Sequence, residues 1–440
     1  MHGSGGIIRA MPVLLFMGLW CCLGPTGAAA QTRPGQSETV QKSTSRDRSR
    51  KSGETGNDSQ EETGAAEFGA VSTSRLALPF KQAWQYLTDA EMAFRPSVDE
   101  TRVYLPLEGG RIVCLDRHTG ALFWSSDLGG TISGPVTIGP GNLFVASQKE
   151  NKDQGGSTGL LRALDASTGL TIWERDYPRP FTSPLAVSGD RIYAGSADGA
   201  LWALSASDGK LLWRAETQDV VRAEPLATPG AIYFGSDDGA VRGVDPGTGK
   251  EIWKFQTKGK ILGRPAVDEK RIYFGSGDAY IYAVDLGDPK VKWRAQTGAA
   301  VQASPVIVES KILVGSYDNF LYALSESKGD KVWKRRFDDR IAAPVTIDGD
   351  ALMITPLRGD HVAMFLINDG RRVNYYALEK GYQITAEPVY IQGMTYIPTD
   401  RGLVVTQAET LTPGQGPIPG KAGPATKPDS TGRPVHPVLP

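Results

Sequence analysis

RIYAGSADGALWALSASDGKLLW, residues 191–213, is the stretch on which the fold turns. Two alternating segments rich in Ile, Tyr, Leu and Ala flank Asp198 and Gly199, a second turn falls at Asp208 and Gly209, and a last segment ends on Trp213. Asp-Gly between alternating apolar runs is a hairpin signal, so the stretch reads as three strands joined by two hairpins. Advancing by 40 residues gives AIYFGSDDGAVRGVDPGTGKEIW (231–253), then RIYFGSGDAYIYAVDLGDPKVKW (271–293), then KILVGSYDNFLYALSESKGDKVW (311–333). Self-similarity at a fixed period marks a repeat architecture, here built only of strands and turns.

Two further markers count the units. A proline opens a strand at Pro96, Pro135, Pro184, Pro225, Pro265, Pro305, Pro344 and Pro388. A closing tryptophan stands at Trp84, Trp124, Trp173, Trp213, Trp253, Trp293 and Trp333, with Asn374 and Tyr375 in its place in the seventh unit. The last unit, from Pro388, has three strands and then runs into the tail. Trp84 precedes Pro96 by the same interval that separates Trp213 from Pro225, so residues 81–87 form a closing strand with no unit before it. Pairing that strand with the last unit leaves no free edge between the chain ends. The expectation is an all-β, eight-bladed β-propeller of four-stranded antiparallel blades over residues 79–410, closed by an N-terminal strand in the last blade.

The ends differ in composition. Residues 1–30 carry one arginine, an apolar run and Ala28, Ala29 and Ala30, the pattern of a cleaved signal peptide, so export without a transmembrane span in the mature form is expected. Leu19 and Trp20 precede Cys21 where a lipid-attachment motif wants small residues, which argues against a lipid anchor. Residues 31–78 are polar, charged and poor in aromatics, as in a disordered linker; 411–440 form a Pro/Gly-rich tail of the same kind. Lys and Arg total 48 against 49 Asp and Glu, so no basic field draws nucleic acid. Without the leader only Cys114 remains, where other units carry Ala or Gly, so it reads as a small buried residue.

The segments CLDRHTGALFW (114–124), ALDASTGLTIW (163–173) and GVDPGTGKEIW (243–253) resemble the tryptophan-docking motif of the pyrroloquinoline-quinone-type propeller repeat family. Ser205 and Ser325 replace the motif's Asp in two other units. The resemblance covers about 330 residues and implies one of two kinds of protein. Quinoprotein dehydrogenases add a quinone and calcium site, long insertions and often a vicinal disulfide. Outer-membrane assembly factors of the BamB type are bare eight-bladed scaffolds. The short blades and the lack of a Cys-Cys pair after the leader bring this chain nearer the second. That resemblance implies a monomeric periplasmic protein, associated with the outer membrane, that binds protein partners in the assembly machinery and carries no cofactor.

A direct search for chemistry agrees. His2, His118, His361 and His436 are dispersed without metal-ligand spacing, and no nucleophile-base set or phosphate-cradling glycine loop is recognisable. The expected catalytic, cofactor and metal residues are therefore none. The aspartates fall in turns, where Asp is locally favoured. Function then rests on surface. The loops leading into the inner strands place Arg95, Arg222, Glu224, Arg264, Gln302 and Glu387 near one rim, as candidate partner-binding residues beside Phe94, Val221 and Leu262. A longer hairpin, QKENKDQGGSTG (148–159), falls on the same face and is either tolerated variation or a recognition finger. The alternatives are a quinone-dependent dehydrogenase and a secreted sensor or ligand-binding propeller.

Overall fold

The computed structural model describes residue 72 and residues 74–150, 156–356 and 358–409. The leader 1–30, nearly all of the linker 31–78 and the tail 411–440 lie outside the described residues. Eight antiparallel sheets follow one another along the chain. Their inner strands, which define blades I to VIII, are Ser97–Val98, the pair Thr131–Ile132 and Thr137–Ile138, Ala186–Ser188, Leu226–Ala227, Ala266–Val267, Val306–Val308, Thr346–Asp348 and Val389–Ile391. Blade VIII is completed by Phe80–Leu87, which pairs antiparallel with Gly402–Ala408 and sets Trp84 opposite Val405. The ring is closed as the misplaced Trp84 strand predicts.

Strand periodicity explains why the blades stack. In Arg191–Ser196 of blade III, Ile192 and Ala194 pack into a cluster shared with blade II, while Tyr193 packs into one shared with blade IV. Successive side chains point to opposite faces, so a strand buried on both sides reads as a nearly continuous apolar run. Eight such clusters occur, one at each joint of the ring.

The repeated tryptophans fasten these joints. Seven of the eight outer strands turn a Trp toward the next blade, and the indole Nε1 donates to a carbonyl in that blade's last turn, as in Trp213 to Pro246 O at 2.9 Å and Trp333 to Ile367 O at 2.9 Å. Trp84, Trp124, Trp173, Trp253 and Trp293 do the same. The turn that receives the ring is braced by its aspartate: Asp245 Oδ1 accepts from Gly247 N, Thr248 N and Thr248 Oγ1. Those bonds, Thr248 first, hold the Asp245 carboxyl below the usual carboxylate range.

At the joint between blades VII and VIII the tryptophan is missing. Asn374 Nδ2 instead donates to the carbonyls of Leu76 and Leu78. The short 3-10 turn Arg75–Ala77 is capped by Ser74, whose side chain accepts from Leu76 N. Ser74 Oγ and Arg75 N both donate to Asp348 Oδ2 at 2.9 Å, and Leu76 is fully buried. Residues 74–78, assigned to the linker from composition, are thus a clasp over this joint. Five residues, SRLAL, with one fully buried leucine are too short a run to separate by composition from the residues before them.

Across the closure, Arg117 is 1% exposed. Its guanidinium donates to Tyr396 Oη at 3.0 Å, to Ile391 O at 3.2 Å and to Gln392 Oε1 at 3.1 Å in blade VIII, and to Asp99 O at 3.3 Å in its own blade. Blade I is therefore tied to blade VIII by a buried cation with neutral acceptors.

Two local departures stand out. Blade II splits its inner position into two short strands that both pair with Asn142–Glu150. The insertion lengthens that hairpin: Gln148, Lys149 and Glu150 pair with Gly159, Thr158 and Ser157. Its tip, 151–155, lies outside the described residues. Cys114 is fully buried opposite Trp124, and burial pushes its thiol up to about 12, so it is a packing residue without thiolate character.

Candidate functional site

Apart from Thr131–Ile132 of blade II, each inner strand begins one or two residues after its proline, so the preceding loops converge on the channel. Asp237 N, in a hairpin turn of blade IV, donates to Val220 O in such a loop, which places these turns and the lead-in loops on one face. The mouth on that face is a cavity of about 650 Å³, and Arg95, Arg222, Glu224, Arg264, Gln302 and Glu387 all line it. All six residues singled out in the sequence are therefore brought together, from the loops before blades I, IV, V, VI and VIII.

The charges are arranged across the ring. Arg95 Nη2 lies 3.3 Å from Glu224 Oε2 and its Nη1 lies 3.4 Å from Glu387 Oε2. Arg264 Nη1 lies 3.5 Å from Glu224 Oε1. These contacts are longer than tight charge-assisted bonds and leave the guanidiniums partly solvated. A second cavity of about 540 Å³ shares Arg95, Glu224, Arg264 and Glu387, so the network forms a waist between two chambers.

Arg222 is held differently. Its Nε donates to Asp237 Oδ2 at 3.1 Å, and Lys260 Nζ reaches the same oxygen at 2.6 Å. The Asp237 side chain is only 1% exposed. Arg222 thus serves to neutralise a buried carboxylate and is not a free rim charge. Val221 is buried in the joint between blades III and IV, so of the apolar neighbours only Phe94 and Leu262 line the mouth.

Turn aspartates that sequence reading left as local formers do more. Asp238, Asp278 and Asp318 each accept from a backbone N–H of the preceding blade, at Gln218, Lys258 and Gly298. Each also accepts from a residue four positions on: Arg242, Tyr282 and Tyr322. The Asp-x-x-x-Tyr spacing in blades V and VI was visible, but the contact to a preceding blade has no local signature.

Ionisation of Glu387 is disfavoured. Burial raises its pKa, Arg95 opposes the rise, and Glu224 adds to it. An acid with a raised folded pKa makes the fold lose stability as pH climbs from the unfolded carboxylate range through the folded value. Glu387→Gln removes that loss. The melting temperature of the variant minus that of the parent is expected to grow between pH 4 and pH 8 in calorimetry; a gap independent of pH would show that Glu387 titrates normally.

The repeat implies a quinone and calcium site in some proteins that carry it, and these residues do not fit one. The two carboxylates of the waist are each paired with Arg95, so a divalent cation would have to displace a guanidinium. Among the described residues, Phe94 is the one aromatic ring lining the mouth, so these offer a planar quinone no second ring to stack on. Among the described residues, no group of three His, Cys, Asp or Glu side chains is placed to hold a metal.

Fold and repeat together define an eight-bladed propeller of the pyrroloquinoline-quinone-like repeat class. The family described as outer membrane protein assembly factor BamB matches residues 81–156, 157–256 and 237–414, and the chain belongs to that family. Among solved structures it is similar to BamB from Moraxella catarrhalis, at 17% identity and a TM-score of 0.62, over 75% of this chain and 100% of that one. The computationally designed Ika8 protein aligns at 15% identity with a TM-score of 0.65, over 74% and 99%. The quinohemoprotein alcohol dehydrogenase from Comamonas testosteroni aligns at 12% identity with a TM-score of 0.62, over 78% and 79%. At these identities the likeness is one of fold. No curated protein matches the sequence.

Proposed function

We propose that the protein is an exported, non-catalytic scaffold that binds a protein partner through this mouth and serves in outer-membrane β-barrel protein assembly. Membership of the BamB family and the leader-like residues 1–30 support a periplasmic location and a partner in the assembly machinery. The observation that carries the reading is the convergence of six polar residues from five loops into one concave mouth whose carboxylates are already paired with arginine. Preorganised arginines beside apolar Phe94 and Leu262 suit recognition of a protein surface.

Arg264 gives the clean test, because its side chain is 43% exposed and its partner Glu224 keeps Arg95. Arg264→Glu is expected to weaken binding to solubilised assembly machinery about tenfold while moving the melting temperature by no more than about 2 °C. A photo-crosslinking residue at Gln302 should capture the same partner, and one at Lys290 should not. Binding is expected to persist without quinone or calcium. Unchanged binding of Arg264→Glu would move the interface off the mouth, and dye-linked oxidation of alcohols or sugars after quinone loading would overturn the scaffold reading.

A further inference from the structure

The mouth carries more positive charge than its ion pairs neutralise. Asp237 Oδ2 is approached by two cations, Arg222 Nε at 3.1 Å and Lys260 Nζ at 2.6 Å. Glu224 is approached by two more, Arg95 at 3.3 Å and Arg264 at 3.5 Å. Glu387 has only Arg95, which it shares with Glu224. Four cations thus meet three carboxylates, and burial works against ionisation of the third, Glu387.

The surplus sits on donors that are still open. Among the described residues, neither Nη of Arg222 donates a hydrogen bond, and the Arg264 guanidinium makes none, its one ion-pair contact being Glu224 Oε1 at 3.5 Å. Arg222 lines the mouth alone, whereas Arg264 stands at the waist. Around these charges the lining is apolar, with Phe94, Leu226, Leu262, Val267 and Ile307. Cations between apolar walls are screened less by water, so each charge attracts an opposite one more strongly than on an open surface.

We propose that the mouth takes an acidic segment of the partner: an Asp or Glu side chain, flanked by apolar residues, that pairs with Arg264 and Arg222. This rests on the mouth being the docking site and names the chemistry that fills it. A carboxylate offers two coplanar acceptors to the fork of a guanidinium, whereas a basic segment would meet the surplus cations and be repelled. The apolar lining selects a peptide over a small free anion, which would leave Phe94 and Leu262 in water.

The probe is a fluorescent, acetylated and amidated peptide of alternating Leu and Glu, with a twin carrying Gln for every Glu, titrated into the full chain. The Glu peptide is expected to bind, and the Gln twin at least about tenfold more weakly. Arg264→Gln should remove most of that difference, Arg264→Lys should keep part of it, and Lys290→Gln, in a turn of the opposite face, should leave it unchanged. Equal melting temperatures show that the variants fold. Equal affinity of the two peptides, no binding by either, or indifference to Arg264→Gln would overturn the proposal. So would displacement of the Glu peptide by inorganic phosphate as effectively as by unlabelled peptide, which would assign the mouth to a small anion. If the peptides bind alike while a crosslinker at Gln302 still captures the partner, the mouth remains the docking site and the acidic segment falls. If the Glu peptide binds through Arg264 and the crosslinker captures nothing, the acidic preference stands and the assembly reading falls.

Discussion

Removal of residues 1–87 is expected to lower the unfolding midpoint by at least about 10 °C, whereas removal of residues 1–71 should shift it by no more than about 2 °C. The longer deletion takes away the strand Phe80–Leu87 and with it a ladder running from Phe80 opposite Ala408 to Leu87 opposite Gly402. Trp84 leaves the joint with blade I, where its Nε1 donates to Arg117 O at 3.2 Å. Blade VIII is left with the raw edge of Gly402–Ala408, a strand whose side chains are almost all buried in the intact ring. A third deletion, of residues 1–79, keeps the strand but removes the clasp, and strands Asn374 and Asp348 without the partners they have in Leu76, Leu78, Ser74 and Arg75. It should fall between the other two. Equal midpoints after removal of 1–71 and 1–87, measured by calorimetry, would reject closure by the N-terminal strand.

Trp213→Ala is expected to cost about 3–5 kcal/mol in urea unfolding, against less than about 1 kcal/mol for Leu212→Ala one residue away. Trp213 is 8% exposed and Leu212 48%. The indole lies on Gly249 of the next blade so closely that a Cβ there would sit 2.4 Å from its Cε3, and Gly249 has a φ of +71°. Gly249→Ala therefore meets both a steric wall and a backbone conformation that L side chains rarely adopt, and should damage the same joint from the other side. Because both substitutions act on one contact, the double variant should lose less than the sum of the two. Similar losses for Trp213→Ala and Leu212→Ala would show that the repeated tryptophans are not the fasteners of the ring.

The legible part of this protein is the part written in short-range order. Alternation with period two, Asp-Gly turns and the recurring tryptophan lie within hairpin reach, so strands and blade count could be read along the chain. Even the closing strand was visible, because Trp84 keeps its interval to Pro96 although the rest of its blade lies some 300 residues away. The six mouth residues were found for the same reason: each precedes a repeated proline, and the repeat carries every such loop to one face.

Only the tertiary structure decided how those residues pair. Arg222 and Arg264 look alike in VVRAEP and ILGRP, yet one pairs with the buried Asp237 in a hairpin turn and the other with Glu224 of the mouth. Arg95 meets Glu387 and Glu224 from opposite sides of the ring, at separations of 292 and 129 residues in the chain. Ser74, Leu76 and Arg117 carried no signal either, since a buried polar link is defined by what surrounds it and its partners lie in other blades. Periodicity determines which elements form and in what order they stack; which charge faces which across the channel follows only once the ring has closed and fixed the distances between blades.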